Sequence, residues 1–372
     1  MVSLRIRRIM DNFQICQNCF STQMGYPAPT QKSTPECYIC KGLWNKTACI
    51  ATAIQYSSKM HDFSSFLIGL ALPWQFSENE DQFRAYCKIR GRESIKASLI
   101  RTIRQRFAEL SGKRLDTLDP DLVVIVTIQN NNYFDFKISV RSRSLTLGGC
   151  YLKKSRDVPV YSSRSSLTRD PSPSSFEEVL RRELIIATEA EAVTLSWLGK
   201  EDDSSLVLGR GRPFFATLKN PKRRYLKHNL QFQIGKISVN VDKRPTVLPR
   251  QLPTFINKMR VVVTCEDNAQ LSSSDMRVLN NKGIVCVGFA NKNSRAVKLI
   301  YSMHAKIVTV RKFVLTMVCD GGLPIKRFVD GYGKMNPNIT GLLKKKCKCV
   351  IFDVMDLHVQ DSPLSLKPKD NY

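Results

Sequence analysis

From Gly199 to Phe214 the chain reads Gly-Lys-Glu-Asp-Asp-Ser-Ser-Leu-Val-Leu-Gly-Arg-Gly-Arg-Pro-Phe, three successive acids ahead of a glycine–arginine turn. Carboxylates at Glu201, Asp202 and Asp203 can serve as nucleophile, base or ion-pair partner, depending on solvation and neighbours. They stand in a strongly basic protein: 58 Lys and Arg against 32 Asp and Glu give its 372 residues a net charge of +26. Because that charge is spread over every segment, it predicts nucleic acid as partner, bound by neutralising phosphates. Acids set in such a frame suggest chemistry on a polyanion.

A second group could bind metal. Cys16-x-x-Cys19 and Cys37-x-x-Cys40 have the spacing of two thiolate knuckles, and together they predict a structural zinc ion held by four sulfurs. No organic cofactor is expected. The isolated Cys49, Cys87, Cys150, Cys265, Cys286 and Cys319 are predicted core residues, and Cys347-x-Cys349 lacks a partner pair. Met1 to Met10 carries arginines but no apolar core with a cleavage site, and no run of about eighteen apolar residues exists. The expected protein is cytoplasmic, off the membrane and monomeric.

The elements that must position these groups predict an α+β chain. Residues 1–60 are expected to form the zinc unit, 61–148 a small α/β or α+β unit, 149–175 a joint and linker, 176–362 a mixed, mainly antiparallel sheet domain, and 363–372 a tail. In the second unit, Ile95, Leu99, Ile103 and Phe107 recur at four-residue steps, with Leu110 continuing the face and Arg101, Arg104 and Arg106 elsewhere on the helix. Leu122 to Val126 reads as a buried strand, and Asn130 to Asn132 turns it into an alternating partner from Tyr133 to Ile138. Between Asp157 and Ser175 the chain is Ser/Arg/Pro-rich and reads as a loop or linker. Ser175 with Glu178 makes a capping box for a helix reaching about Ala192. Strands are predicted at 214–218, 231–241, 260–265, 284–289, 306–318 and 350–359.

Several stretches, in order, resemble the archaeal and eukaryotic THUMP-containing tRNA pseudouridine synthases, the tenth pseudouridine synthase class. They include Phe66-Leu67-Ile68-Gly69, Asp119-Pro120-Asp121, Gly149-Cys150-Tyr151-Leu152-Lys153-Lys154-Ser155-Arg156, Gly209-x-Gly211-Arg212-Pro213-Phe214, and the C-terminal Gly321-Gly322-Leu323 with Lys326-x-Phe328-Val329. The resemblance implies isomerisation of T-loop uridines of tRNA by an aspartate, an arginine that keeps it ionised, and an aromatic ring that stacks on the extruded base. Set on the family pattern without a gap, the aspartate falls on Ser204 and the arginine on Leu206; two tyrosines fall on Ile284 and Pro324.

A serine hydroxyl is un-ionised near neutrality and cannot replace the carboxylate directly. Asp203, one residue earlier, is the displaced candidate, while Asp202 matches a non-catalytic family position. Arg212, Ile284 and Pro324 are expected at the substrate, and Lys222, Arg223 and Arg224 are candidates for phosphate contact. Two outcomes stay open: an active synthase using Asp203, or a catalytically silent tRNA-binding paralogue. Another RNA enzyme with a Gly-rich cofactor loop is disfavoured, because Gly209-Arg210-Gly211 leads into a strand rather than a helix.

Overall fold

The computed structural model describes residues 12–27, 36–129, 135–156, 175–266, 270–291, 294–333 and 335–360. The expectations for Met1 to Met10, for the turn and strand start at 130–134, for the loop between Asp157 and Ser175 and for the 363–372 tail lie outside the described residues. The chain divides into two compact units: residues 1–144 with 219–224, and residues 145–218 with 225–372.

The first unit runs α1 (Gln17–Met24), α2 (Leu43–Ser58), β1 (Ser65–Ala71), α3 (Trp74–Cys87), α4 (Ile95–Ser111), β2 (Arg114–Leu115), β3 (Leu122–Ile128) and β4 (Phe136–Ser142). Its sheet has the order β2-β1-β3-β4, with β1 parallel to β2 and β3, and β4 antiparallel to β3. Parallel neighbours need a crossover, and α3 and α4 supply it between β1 and β3.

Helix α4 forms where the four-residue spacing predicts it. The Ser94 side chain caps it by accepting from the Ala97 amide at 3.2 Å, and Gly112 ends it in the left-handed region. Ile95, Leu99, Ile103 and Phe107 are buried, each stabilising the fold by roughly 1.5–3 kcal/mol. Leu110, expected to continue that face, is 47% exposed in the last turn. Arg104 turns inward, its Nε and Nη2 donating to the Ile68 carbonyl at 3.0 and 2.7 Å. β3 buries only alternate residues, Leu122, Val124, Val126 and Ile128, while Ile125 is 45% exposed. The continuous apolar run therefore makes a half-buried strand, because helices cover a single face. Cys19, Cys37 and Cys40 share one hydrophobic core with Phe66, Leu99 and Val124, so the boundary expected at residue 60 falls inside a single core.

The second unit contains β5 (Leu145–Lys153), α5 (Phe176–Thr188), β6 (Ala192–Trp197), β7 (Val207–Lys219), β8 (Leu230–Ile234), β9 (Ile237–Thr246), β10 (Phe255–Cys265), α6 (Ser273–Asn280), β11 (Val285–Asn291), β12 (Ser294–Thr309), β13 (Lys312–Asp320), α7 (Ile325–Asp330), α8 (Ile339–Leu343) and β14 (Cys347–Val359). The predicted capping box is present at α5, but the helix stops at Thr188 because β6 begins at Ala192. The strand predicted over 231–241 is a hairpin of β8 and β9, broken at Gly235 with φ 59°.

Ten strands make one sheet in the order β11-β12-β13-β10-β14-β7-β5-β9-β8, with β6 on β7. Pairing is antiparallel on both sides of β14–β7, whereas those two strands run parallel and share the single register pair Val354 and Val207. Val261, Leu315 and Phe328 belong to the core on one side of this seam, and Leu147, Leu180 and Phe214 to the core on the other. The mixed, mainly antiparallel sheet is thus two antiparallel halves with separate cores, whose strands share one register pair.

Candidate active site and metal centre

The acidic stretch lies at this seam, in the connection from β6 to β7. The Ser205 amide donates to the Asp202 carbonyl at 2.9 Å, closing a turn with Asp203 and Ser204 exposed at its tip. Side chains from β5 and beyond hold the turn by its backbone. Lys153 Nζ donates to the Asp203 carbonyl, and Arg156 Nη1 donates to the Ser204 carbonyl at 2.7 Å. The Arg156 guanidinium also forks onto Asp353 at 2.6 and 2.9 Å, and Asp353 accepts from the Leu206 amide at 3.0 Å. Burial raises the Asp353 carboxyl, but the hydrogen bonds from Arg156 and the Leu206 amide outweigh it and hold the group below the usual carboxylate range.

Beneath the turn, Glu201 accepts from the Tyr151 hydroxyl and pairs with Arg212 Nε at 2.7 Å; the two charged side chains are 0% and 2% exposed. Arg212 Nη1 also donates to the Leu198 carbonyl at 2.6 Å. Gly199 allows this approach: its φ is +80°, and a Cβ there would lie 2.5 Å from Arg212 Nη1. Arg212, expected at the substrate, lines the cleft above the turn while its guanidinium is engaged with Glu201 and Leu198.

Above the turn a cleft of about 240 Å³ opens, drawing residues from both halves of the sheet. Phe255, Asn257 and Met259 of β10 line its floor together, because residues two apart share a strand face. Phe352 and Val354 of β14 continue the floor, and Pro324 stands in the wall. Asp202 is the acidic side chain that reaches this cleft, its carboxylate 2.7 Å from Lys326 Nζ. The Asp202 hydrogen bond raises the Lys326 pKa, so the ammonium stays charged throughout the neutral range. Asn257 is 8% exposed, and its Oδ1 has no hydrogen-bond partner among the described residues.

The cleft therefore offers an apolar floor with two aromatic rings, one ion pair at its wall and one buried carboxamide. Those features suit a flat heterocycle with polar edges. A smaller cavity of about 70 Å³, lined by Cys150, Arg210, Asp242 and His358 among others, has room for a few waters rather than a ring.

In the first unit the four Sγ atoms of Cys16, Cys19, Cys37 and Cys40 lie within 4.8 Å of one another. Cys16 and Cys40 are 3.8 Å apart, the edge of a sulfur tetrahedron with metal–sulfur bonds of about 2.3 Å. Hydrogen bonds from Cys16, Cys19 and Cys40 hold the Cys37 thiol far below its ordinary value, whereas burial pushes Cys19 up. Four thiols this close cannot all ionise without a cation between them, so the cluster is built to hold a metal ion.

Comparison with known proteins agrees with this organisation. A family model described as "Pus10 THUMP domain, archaeal" matches residues 50–127, and one described as "Pus10, C-terminal" matches 146–273 and 291–358. The chain belongs to the Pus10 family. A relative named tRNA pseudouridine synthase Pus10 from Nitrosopumilus maritimus is 27% identical, over 95% of this chain and 97% of its own length. Proteins of the same name from Cenarchaeum symbiosum and Pyrococcus furiosus are 25% and 22% identical, covering 87% and 96% of this chain and 82% and 98% of their own lengths.

Within this family frame, the positions expected at the substrate separate. Pro324 lines the cleft, but Ile284 is 69% exposed and is not among the lining residues. Lys222, Arg223 and Arg224 belong to the first unit rather than to the sheet that precedes them. Arg224 is 6% exposed: its amide donates to Asp62 at 3.1 Å, its Nη1 donates to the Arg143 carbonyl, and its Nη2 lies 3.5 Å from Asp121. Phosphate contact by Arg224 is replaced by this buried anchoring. The Lys222 carbonyl accepts from the Asp62 amide at 2.7 Å, and Arg223 remains exposed.

Sequence reasoning missed Asn257, Asp353 and both cleft phenylalanines. The signal for Asn257 was a polar residue two places from Phe255 and Met259, legible only if the strand is started before Arg260.

Proposed function

We propose that this chain binds tRNA and converts a T-loop uridine to pseudouridine in the seam cleft, with Asp202 as the reacting carboxylate. One observation carries this reading: of the acids in the turn, Asp202 is the one on the cleft wall, and it is paired there with Lys326. Several relatives bear the name tRNA pseudouridine synthase, and the basic charge suits a tRNA partner. The extruded uracil lies on the floor against Phe255 and Phe352, rings that take the stacking role absent at Ile284 and Pro324. The Asp202 carboxylate attacks C1′ as the N1–C1′ bond breaks and its electron pair leaves with the uracil. The base turns, and C5 displaces the carboxylate from C1′ as the C5–C1′ bond forms. The C5 proton leaves, N1 ends protonated, and no oxidant or reductant is needed. Lys326 pairs with Asp202 at the cleft wall, and Arg156 with Asp353 keeps the turn in place. In the first unit, zinc is the ion that the four cysteines hold, as a structural centre.

A second reading, a silent tRNA-binding protein, is favoured by one feature: Asp203 and Ser204 both point from an exposed tip and neither lines the cleft. Tritium release from tRNA carrying C5-tritiated uridine separates the readings. Release by the native chain that falls below about 1% in Asp202→Asn, and persists in Asp203→Asn, supports Asp202. Loss in Asp203→Asn alone restores the displaced nucleophile. Absence of release from the native chain, with tRNA binding intact and activity gained in Ser204→Asp, establishes the silent protein. Zinc is tested by elemental analysis of the purified chain: about one ion per chain is expected, and none in Cys37→Ser.

A further inference from the structure

Among the described residues, Asn257 is a cleft residue whose buried polar atom has neither a hydrogen bond nor an ion pair. It sits on β10 between Phe255 and Met259, on the face that forms the apolar floor, and it is 8% exposed. Its Oδ1 is buried with no hydrogen-bond partner among the described residues. Buried carbonyl oxygens are nearly always paired, since desolvation without a donor is unfavourable. An apolar side chain of similar size would complete this floor, with Phe352 and Val354 alongside it, at no such cost. A carboxamide kept there without a partner points to a donor that arrives with a ligand.

We infer that Asn257 is a specificity-determining residue that reads the Watson–Crick edge of an extruded uracil, its Oδ1 accepting from the N3–H. The inference rests on the reading of the cleft as a uridine site and adds the group that selects the base. Uracil fits the position by its chemistry: N3–H is flanked by two carbonyl oxygens, so a carboxamide that accepts at N3 can donate to the oxygen beside it. The faces of the ring are left to the apolar floor, as expected for a flipped base read by edge and held by face. Asp202 and Lys326, at the wall, are then reserved for the sugar side of the nucleoside. Selection by a buried acceptor is asymmetric: a base lacking the donor leaves the oxygen unpaired and is rejected more strongly than one extra contact would attract.

The test compares tRNA transcripts with either uridine or N3-methyluridine at the T-loop position. Binding to the full-length chain is measured at one fixed salt concentration, for the native protein and for Asn257→Leu. The native chain is expected to prefer the unmodified transcript by roughly tenfold or more. Asn257→Leu is expected to lose that preference, to bind the methylated transcript as the native chain does, and to melt at the same or a higher temperature. A variant that keeps the preference overturns the role of Asn257 while leaving the uridine cleft intact. A lower melting temperature for Asn257→Leu also overturns it, because the carboxamide would then be structural. Equal binding of both transcripts by the native chain sinks the base-reading role, and no binding of either sinks the proposed function with it.

Discussion

Two ion pairs, made by successive residues of one turn, differ in almost everything except charge. Below the turn, Glu201 and Arg212 are 0% and 2% exposed and are tied further to Tyr151 and Leu198. Above it, Asp202 and Lys326 are 38% and 55% exposed at the edge of a cleft. Arg212 borders the cleft, but the lower pair is almost fully buried and works as scaffold; the upper pair is open to a substrate. Burial, rather than the presence of a carboxylate beside a cation, decides which pair is available for chemistry.

The strongest way to break this contrast is to remove one half of the lower pair. Arg212→Met leaves Glu201 buried without its cation and is expected to destabilise the fold by about 3–5 kcal/mol in urea unfolding. Adding Glu201→Leu should recover most of that loss. A single variant within about 1 kcal/mol of native would show that the lower pair does not hold the turn.

Asp353, which clamps the turn from β14, comes next: Asp353→Asn should cost about 1.5–3 kcal/mol, the range for hydrogen bonds to a charged group. Its carboxyl is depressed in the folded protein, so its contribution is fully present above the unfolded value of about 3.9 and is lost as pH falls through the lower folded value. Acid unfolding below about pH 4 should therefore be shallower in Asp353→Asn than in the native chain.

The smallest stability effect belongs to the upper pair. Asp202→Asn and Lys326→Gln should each stay within about 1 kcal/mol of native, as exposed pairs do, while both impair pseudouridine formation. A large loss of stability in either would move the upper pair into the scaffold and erase the contrast.

How legible each region was follows from how local its determinants are. The buried face of α4 was readable at Ile95, Leu99, Ile103 and Phe107 because helical periodicity and the Ser94 cap lie within one short segment. The cysteine knuckles were readable for the same reason, since thiol spacing is written in sequence. β10 was not: read alone, the strand begins at Arg260, but pairing with β13 and β14 extends it back to Phe255. That extension sets the parity that places Asn257 on the cleft floor. Similarly, Arg212 and Arg224 look alike as basic residues near glycine or proline, yet both are buried beside acids.

The amino-acid sequence alone determined the α+β class, the four-cysteine cluster, the basic character and the serine, rather than a carboxylate, at position 204. These depend on composition, spacing and identity, which need no long-range contact. Only the tertiary structure decided that Asp202 rather than Asp203 reaches the cleft, that Arg212 lies beneath the turn, and that Asn257 faces the floor without a partner among the described residues. The direction of a side chain in a turn, or on a strand whose ends are set by its neighbours, depends on segments more than a hundred residues away: Asp353 clamps Leu206 across 147 positions of sequence.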